Sequence, residues 1–312
     1  MSKQFSHLVI ASMVVLGFMS GCKSSKKVTE SPAAAVEAAE PVVIPVAEEG
    51  TSLLWQISGN GLAEPSYLFG TIHLIGSHDF FFPQVWTDAF NQTKLLMLEL
   101  DMDNLGVMMK MMNGSTMKDG KKIEDLVSEE EFQMIETFFT DSLGQSFGIY
   151  NKMKPMLASS AAYSKMVNGD AISYEMELVK KAKSNNMEVE GVESVDDQLA
   201  MVDQIPMEDQ LEMLMAYVTD FPTERNRFKE MTDIYLTQNV EELFTFMMDS
   251  PEMDEESRAI MLDARNKKWI PVISEKAAAM PTFFAFGAGH LPGEFGVINL
   301  LRQAGYTVKP VR

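Results

Sequence analysis

Thr282-Phe283-Phe284-Ala285-Phe286-Gly287-Ala288-Gly289-His290 is an apolar run, then a glycine, then, three residues on, a histidine. Ser66-Tyr67-Leu68-Phe69-Gly70-Thr71-Ile72-His73 has the same form near the other end of the folded part of the chain. The chain holds 4 histidines, and one of them, His7, falls in a leader segment. His73 and His290 therefore share one local pattern, which His78 lacks. Short apolar runs of this composition read as strands. A glycine belongs where a strand turns sharply or another backbone comes close. The histidine then projects from the carboxyl end of a strand, where open α/β sheets place ligands. The two copies read as half-sites that folding brings together; an imidazole that only bonds a strand-end carbonyl would leave the same pattern.

Working outward, Trp55–Ile57 and Ser66–His73 read as strands around the polar turn Gly59-Asn60-Gly61. Phe80–Phe82 and Pro83 form an apolar loop, and Gln84–Gln92 a helix. Lys94–Asp101 (KLLMLELD) is nearly continuous in apolar residues, as a buried strand is, and ends in Glu99. From about 105 to 280 the pattern is mainly helical, with a capping-box start at Ser128–Glu131 and helices over Leu157–Val167, after Ser173, and over Thr223–Thr237, Val240–Met248 and Glu255–Ala279. Met187–Gly191 is a short strand leading to Glu193, Gly293–Ala304 a helix and Tyr306–Val311 a last strand. Strands at both ends must meet in one sheet, or their apolar faces stay unpaired. The expected fold is α/β in the α+β sense: a central mixed sheet from both ends of the folded chain, under a large helical middle.

Residues 1–21 read as a lipoprotein signal peptide: Lys3, the apolar run Leu8–Phe18, then Ser20 and Gly21 before Cys22. The run is too short to span a bilayer. Cys22 is the only cysteine, so it forms no internal disulfide, and lipidation would both remove the free thiol and anchor the chain. Residues 22–50, rich in Ala, Val, Pro, Glu, Ser and Lys, read as a tether, and 51–312 as one domain. By resemblance to other lipoproteins of double-membrane bacteria, Lys23 after the cysteine implies the outer membrane, with the domain facing the periplasm.

Hydrophobic residues make up 46% of the chain, an ordinary globular share. Without Lys3 the mature chain carries 25 basic against 45 acidic side chains, a formal charge of −20. Such a surface repels phosphate backbones, which argues against nucleic acid as a partner. Methionine is abundant, at 26 residues, with Met108, Met109, Met111, Met112 and Met117 in one stretch. Soft-metal proteins use such runs, but the spacing also suits a helix face that fills an irregular groove.

YLFGTIHLIG, KLLMLELD, GVESVDDQLAMVDQIP, ARNKKW and FFAFGAGHLPGEFGVINLLRQAGYTVKPV resemble, in that order, the TraB/GumN family, over roughly residues 52–312. Animal relatives in this family, the Tiki proteins, are similar to membrane-tethered metal-dependent proteases with paired G-x-x-H motifs. The wider group resembles erythromycin esterase and a haem-handling lipoprotein family. By position the resemblance carries over Gly70 and His73, Glu99, Glu193, Arg265 and Asn266, and Gly287 and His290.

The chemistry expected is a divalent cation (Mn, Co or Zn) held by His73, His290 and Glu99, with water completing an open site. Glu99 or Glu193 takes the proton from that water, and Arg265 stabilises an oxyanion or holds a carboxylate, with Asn266 in support. The reading is a membrane-tethered hydrolase of peptide or amide bonds, with a peptide or protein as substrate. The alternative is a non-enzymatic lipoprotein that binds haem, a metal or a peptide, with the paired histidines as axial ligands and Phe80–Phe82 packing on a porphyrin. No H-E-x-x-H helix and no G-x-S-x-G elbow is present, and His78 reads as a solvated loop residue.

Overall fold

A computed structural model describes residues 51–250 and 253–312. The signal segment, Cys22 and the tether lie outside the described residues. The strands are β1 (Leu54–Gly59), β2 (Ser66–Thr71), β3 (Ile75–Gly76), β4 (Leu95–Leu98), β5 (Ala171–Ile172), β6 (Glu188–Gly191), β7 (Thr282–Gly287) and β8 (Tyr306–Pro310). Six of them form one sheet in the order β6-β4-β7-β2-β1-β8. β6, β4, β7 and β2 run parallel, while β1 is antiparallel to both β2 and β8.

Burial explains the order. Every residue of β2, β4 and β7 is buried, as parallel strands covered on both faces must be. β8 alternates buried and exposed, which suits an edge with one wet face. The two apolar runs that open the sequence reading therefore become the adjacent central pair, β2 and β7, with Thr71 opposite Gly287. This is the expected mixed α/β fold, with one addition: β6, from within the helical middle, supplies an edge.

The helices are α1 (Gln84–Asn91), α2 (Leu105–Gly114), α3 (Glu129–Thr137), α4 (Pro155–Ser159), α5 (Tyr174–Ser184), α6 (Val195–Val202), α7 (Met207–Thr219), α8 (Phe221–Leu236), α9 (Val240–Met248), α10 (Glu255–Arg258), α11 (Ala264–Ala279) and α12 (Val297–Gln303). Ser128 with Glu131 makes the expected capping box of α3, and Ser194 with Asp197 makes another at α6. The helix expected over Leu157–Val167 differs. Pro155 starts α4, and after Ser159 the chain tightens into a 3₁₀ turn over Ser160–Lys165. The Ser159 and Ser160 hydroxyls bond back to the carbonyls of Met156 and Leu157, at 2.7 Å each, and compete with the regular ladder. The helix expected over Glu255–Ala279 is interrupted by a π-helical turn, Ala259–Asp263, between α10 and α11. Such turns recur at functional sites, and this one ends just before Arg265.

A second, two-stranded ribbon pairs β3 with β5, Ile75 opposite Ile172 and Gly76 opposite Ala171. It ties the loop after the first histidine motif to the segment before α5. Among the described residues no helix is long and apolar enough to cross a membrane.

Candidate active site

The carboxyl ends of the four parallel strands meet at one edge of the sheet. His73 follows β2, Glu99 follows β4, Glu193 follows β6 and His290 follows β7. Pairing continues past the strands: the Val192 N–H donates to the Leu98 carbonyl at 2.8 Å and the Glu193 N–H to the Glu99 carbonyl at 3.0 Å. The two glycines are places of close approach. A Cβ on Gly70 would sit 3.1 Å from Ala288 Cα, which holds the turn after β7 against β2. A Cβ on Gly287 would sit 3.3 Å from Glu99 Oε1, 3.4 Å from His73 Nε2 and 3.6 Å from His290 Cδ2. Glu99 and both motif histidines thus gather around the face of one glycine.

Arg265, only 5% exposed, is the hub. Its Nε donates to Glu193 Oε1 at 2.9 Å and Oε2 at 3.2 Å, and its Nη2 to Glu99 Oε2 at 2.6 Å and Glu193 Oε2 at 2.8 Å. Its Nη1 donates to the Met261 carbonyl at 3.2 Å, inside the π turn, and meets His290 Nε2 at 3.1 Å. A guanidinium has five N–H donors, and these partners engage all of them. Glu193 also accepts from Trp269 Nε1 at 2.8 Å, and Glu99 Oε1 accepts the Gly287 N–H at 2.9 Å. Gln198 reaches toward both carboxylates, at 3.5 Å and 3.4 Å. Burial opposes the Glu99 charge, but the Arg265 guanidinium and the Gly287 N–H outweigh it and bring its pKa to about 2. Burial likewise works against Arg265, and Glu99 and Glu193 more than restore its charge.

His290 is fully buried. Its Nδ1 lies 2.6 Å from Asn266 Oδ1. An amide oxygen only accepts, so Nδ1 carries the proton. Asn266 is held in that orientation because its Nδ2 donates to the carbonyls of Phe295 at 2.9 Å and His290 at 3.3 Å. The Nε2 lone pair then accepts from Arg265. Burial, with the Arg265 charge beside it, depresses the His290 pKa to about 3, so the ring is neutral at working pH.

His73 is held differently. Its Nδ1 lies 2.8 Å from Glu175 Oε1, which also accepts from Thr71 Oγ1 at 2.7 Å, while Glu175 Oε2 accepts from Ser173 Oγ at 3.0 Å. Burial disfavours the Glu175 charge, yet His73 and the Thr71 hydroxyl lower its pKa overall. An ionised carboxylate only accepts, so His73 carries its proton on Nδ1 and turns Nε2 toward Gly287. His73 is half-buried and lines a cavity of about 60 Å³ with Glu99 and Glu175.

Of the ligand set expected from sequence, Glu99 Oε1 and His73 Nε2 face Gly287, while His290 turns its Nε2 to the Arg265 cation. The His290 Nδ1–H on Asn266 is the outer hydrogen bond that a metal-binding imidazole also makes. Among the described residues no three His, Cys, Asp or Glu side chains form a group that could hold a metal ion. Haem finds no support at this site: the same lone pair faces Arg265, and the cavity accommodates a few water-sized groups. Phe81 and Phe82 pack on Trp86, with ring centroids 4.9 Å and 5.6 Å apart, and Phe80 on Tyr174 at 4.8 Å; Phe81 belongs to the core, while Phe80 and Phe82 are half-buried and line a second cavity of about 340 Å³. Arg265 is likewise an anchored ion-pair partner: its donors are committed within the protein. His78 is exposed, as expected.

Glu175 was not legible in sequence as a site residue. No motif marks it, and its only cue is the helix cap Ser173 two residues before. Trp269 and Gln198 were also missed. Trp269 lies one helical turn beyond Arg265, a spacing that places both on one face.

Human Metalloprotease TIKI1 is 21% identical over 320 residues, covering 85% of this chain and 63% of that protein. Metalloprotease TIKI2 of Danio rerio is 21% identical, covering 83% of this chain and 60% of that protein, and TIKI2 of Xenopus tropicalis is 20% identical, with 84% and 60% covered. The chain thus spans about three fifths of the length of these curated relatives. No solved structure matches the chain. The family model that matches, over residues 53–310, takes in every strand-end residue of the site, and the chain belongs to the TraB/PrgY/gumN family.

Proposed function

We propose that this protein hydrolyses peptide or amide bonds, with His73 as the base that activates water. The observation that carries the reading is the Glu175–His73 pair at the wall of a small cavity, beside a charge network that is already neutralised internally. Glu175 fixes the tautomer and aim of His73, the part a carboxylate plays for a catalytic imidazole. Water that reaches the buried Nε2 of His73, beside Gly287, gives it a proton as its oxygen bonds to the substrate carbonyl carbon. The C–N bond then breaks, and His73 returns the proton to the leaving nitrogen. Glu99, Arg265 and Glu193 hold the strand ends in register, and burial with the Arg265 charge keeps His290 neutral, which spares His73 a second imidazolium next to it. The name of the TIKI relatives supports hydrolysis as the reaction class and makes metal dependence a result the assay must separate.

The test is cleavage of a mixed peptide library by the full chain, its His73→Ala variant and its Glu175→Gln variant, with and without chelator and with Mn, Co or Zn restored. Cleavage that falls about 10²–10⁴-fold in His73→Ala is the expected outcome. No cleavage, or equal cleavage by His73→Ala, overturns the proposal. Turnover that stops with chelator and returns with one metal overturns the metal-free route and makes His73 and Glu99 metal donors.

The leader and Cys22 support placing this activity on a lipid-anchored protein of the outer membrane, facing the periplasm. Mass spectrometry of the mature amino terminus checks the anchor: acylated Cys22 is expected, and a terminus elsewhere removes it.

A further inference from the structure

The cavity beside His73 has two unlike sides. Its floor is polar, with His73, Glu99 and Glu175, and its wall is built by Met102, Met108 and Met111. Glu99 is already paired with Arg265 and the Gly287 N–H, and Glu175 with His73, Thr71 and Ser173. No lysine or arginine lines the cavity. A charged substrate group entering it would lose hydration without a new partner. An apolar group would instead cover methionine surface. The volume, about 60 Å³, holds roughly four or five water-sized groups. That number matches the four heavy atoms of a leucine or methionine side chain, against nine in an indole.

The wall is also adjustable. Met111 packs in a small cluster with Leu100 and Val195, apart from the main core. Met102 and Val107 join that cluster, while Met108 is half-buried at the cavity. Methionine has three rotatable bonds and a polarisable sulfur, so such a wall moulds to an unbranched or γ-branched guest. Part of the methionine-rich stretch of the sequence thus has a place: α2 carries Met108 and Met111 to the cavity of the candidate base, while Met109 and Met112 are exposed.

We infer that the face of α2 bearing Met108 and Met111 forms a substrate pocket for one leucine- or methionine-sized side chain next to the scissile bond. The position relative to the bond rests on the hydrolase reading; the binding of the side chain does not. The pocket is therefore tested by binding and the reaction by cleavage. The full chain, labelled with ¹³C at its methionine methyls, is titrated with N-acetyl-leucine amide and N-acetyl-methionine amide. The lysine, aspartate and tryptophan counterparts are added at equal concentration. Met108→Leu and Met111→Leu assign the two resonances without changing side-chain volume much.

Shifts of the Met108 and Met111 methyls with the leucine and methionine probes, absent with the others, are the expected result. Met108→Lys, at a half-buried wall position, should weaken that binding about tenfold or more. Equal shifts with all probes, a preference for lysine, or shifts confined to other methionines overturn the pocket. Cleavage of a peptide library separates the two ideas. Cleavage without preference for leucine or methionine at one position sinks the pocket and leaves the hydrolase. The methyl shifts without any cleavage keep the pocket and sink the hydrolase.

Discussion

At the scale of single residues, the site is a set of charges that answer one another. Arg265 is buried with Glu99 and Glu193 on either side, in ion pairs of 2.6 Å and 2.8 Å. Replacing Arg265 by Met leaves two carboxylates facing each other in a dry pocket. Such a loss of one partner costs about 3–5 kcal/mol, which urea denaturation can measure. Adding Glu99→Gln and Glu193→Gln to that variant should recover part of the loss, because the uncompensated charge is then gone. No recovery would mean that Arg265 acts mainly through packing on the Trp269 ring, 5.0 Å away. Gly287 is a finer probe. Its φ of −51° suits any residue, so Ala there is not strained in backbone. The added Cβ would instead press on Glu99 Oε1 and His73 Nε2. Gly287→Ala should therefore keep most of the stability while lowering the rate of cleavage roughly tenfold or more, read as kcat against Tm.

Among the elements, the small β3–β5 ribbon does more than its length suggests. His73 lies two residues before β3, and Glu175 three residues after β5. Their pairing brings base and carboxylate together across more than a hundred residues of mainly helical chain. Gly76 makes it possible, since a Cβ there would lie 2.0 Å from the Asn168 carbonyl oxygen and 2.5 Å from its nitrogen. Gly76→Ala must push that backbone away, and with it the start of α5. Cleavage should fall about 10²-fold, while circular dichroism still shows the main sheet. Unchanged activity would show that Glu175 does not need the ribbon. This element also marks the limit of sequence reading. β2, β4 and β7 were legible because full burial writes a continuous apolar run, and the residues at their ends could be placed from that alone. A ribbon of two residues a side writes no period, so Glu175 could not be found. The metal set is not legible for another reason: which nitrogen of His290 is open depends on Asn266 and Arg265, neighbours supplied by a distant helix.

For the whole molecule, the same buried groups link folding to pH. Unfolded, His290 titrates near its ordinary 6.5; folded, burial and Arg265 hold it near 3. Between those values the unfolded chain binds a proton that the folded chain refuses, so stability falls as pH falls through this window. The slope approaches about 1.4 kcal/mol per pH unit once the unfolded imidazole is fully protonated. Below 4.5 Glu99 adds to the loss, because its folded pKa is about 2 and its ion pair is stabilising only while it stays ionised. The acidic surface, 45 carboxylates against 26 basic groups, pulls the other way near pH 4, where protonation relieves repulsion. The clean window is therefore pH 6.5 to 5, where those carboxylates are still charged. A His290→Gln variant removes this imidazole, so the difference between its curve and that of the unchanged chain belongs to His290. Urea titrations should give an unfolding free energy that decreases from pH 6.5 to 5 more steeply in the unchanged chain than in the variant. Equal slopes would mean that His290 takes a proton in the folded state. The lone pair assigned to Arg265 would then be open to other partners, a metal ion among them.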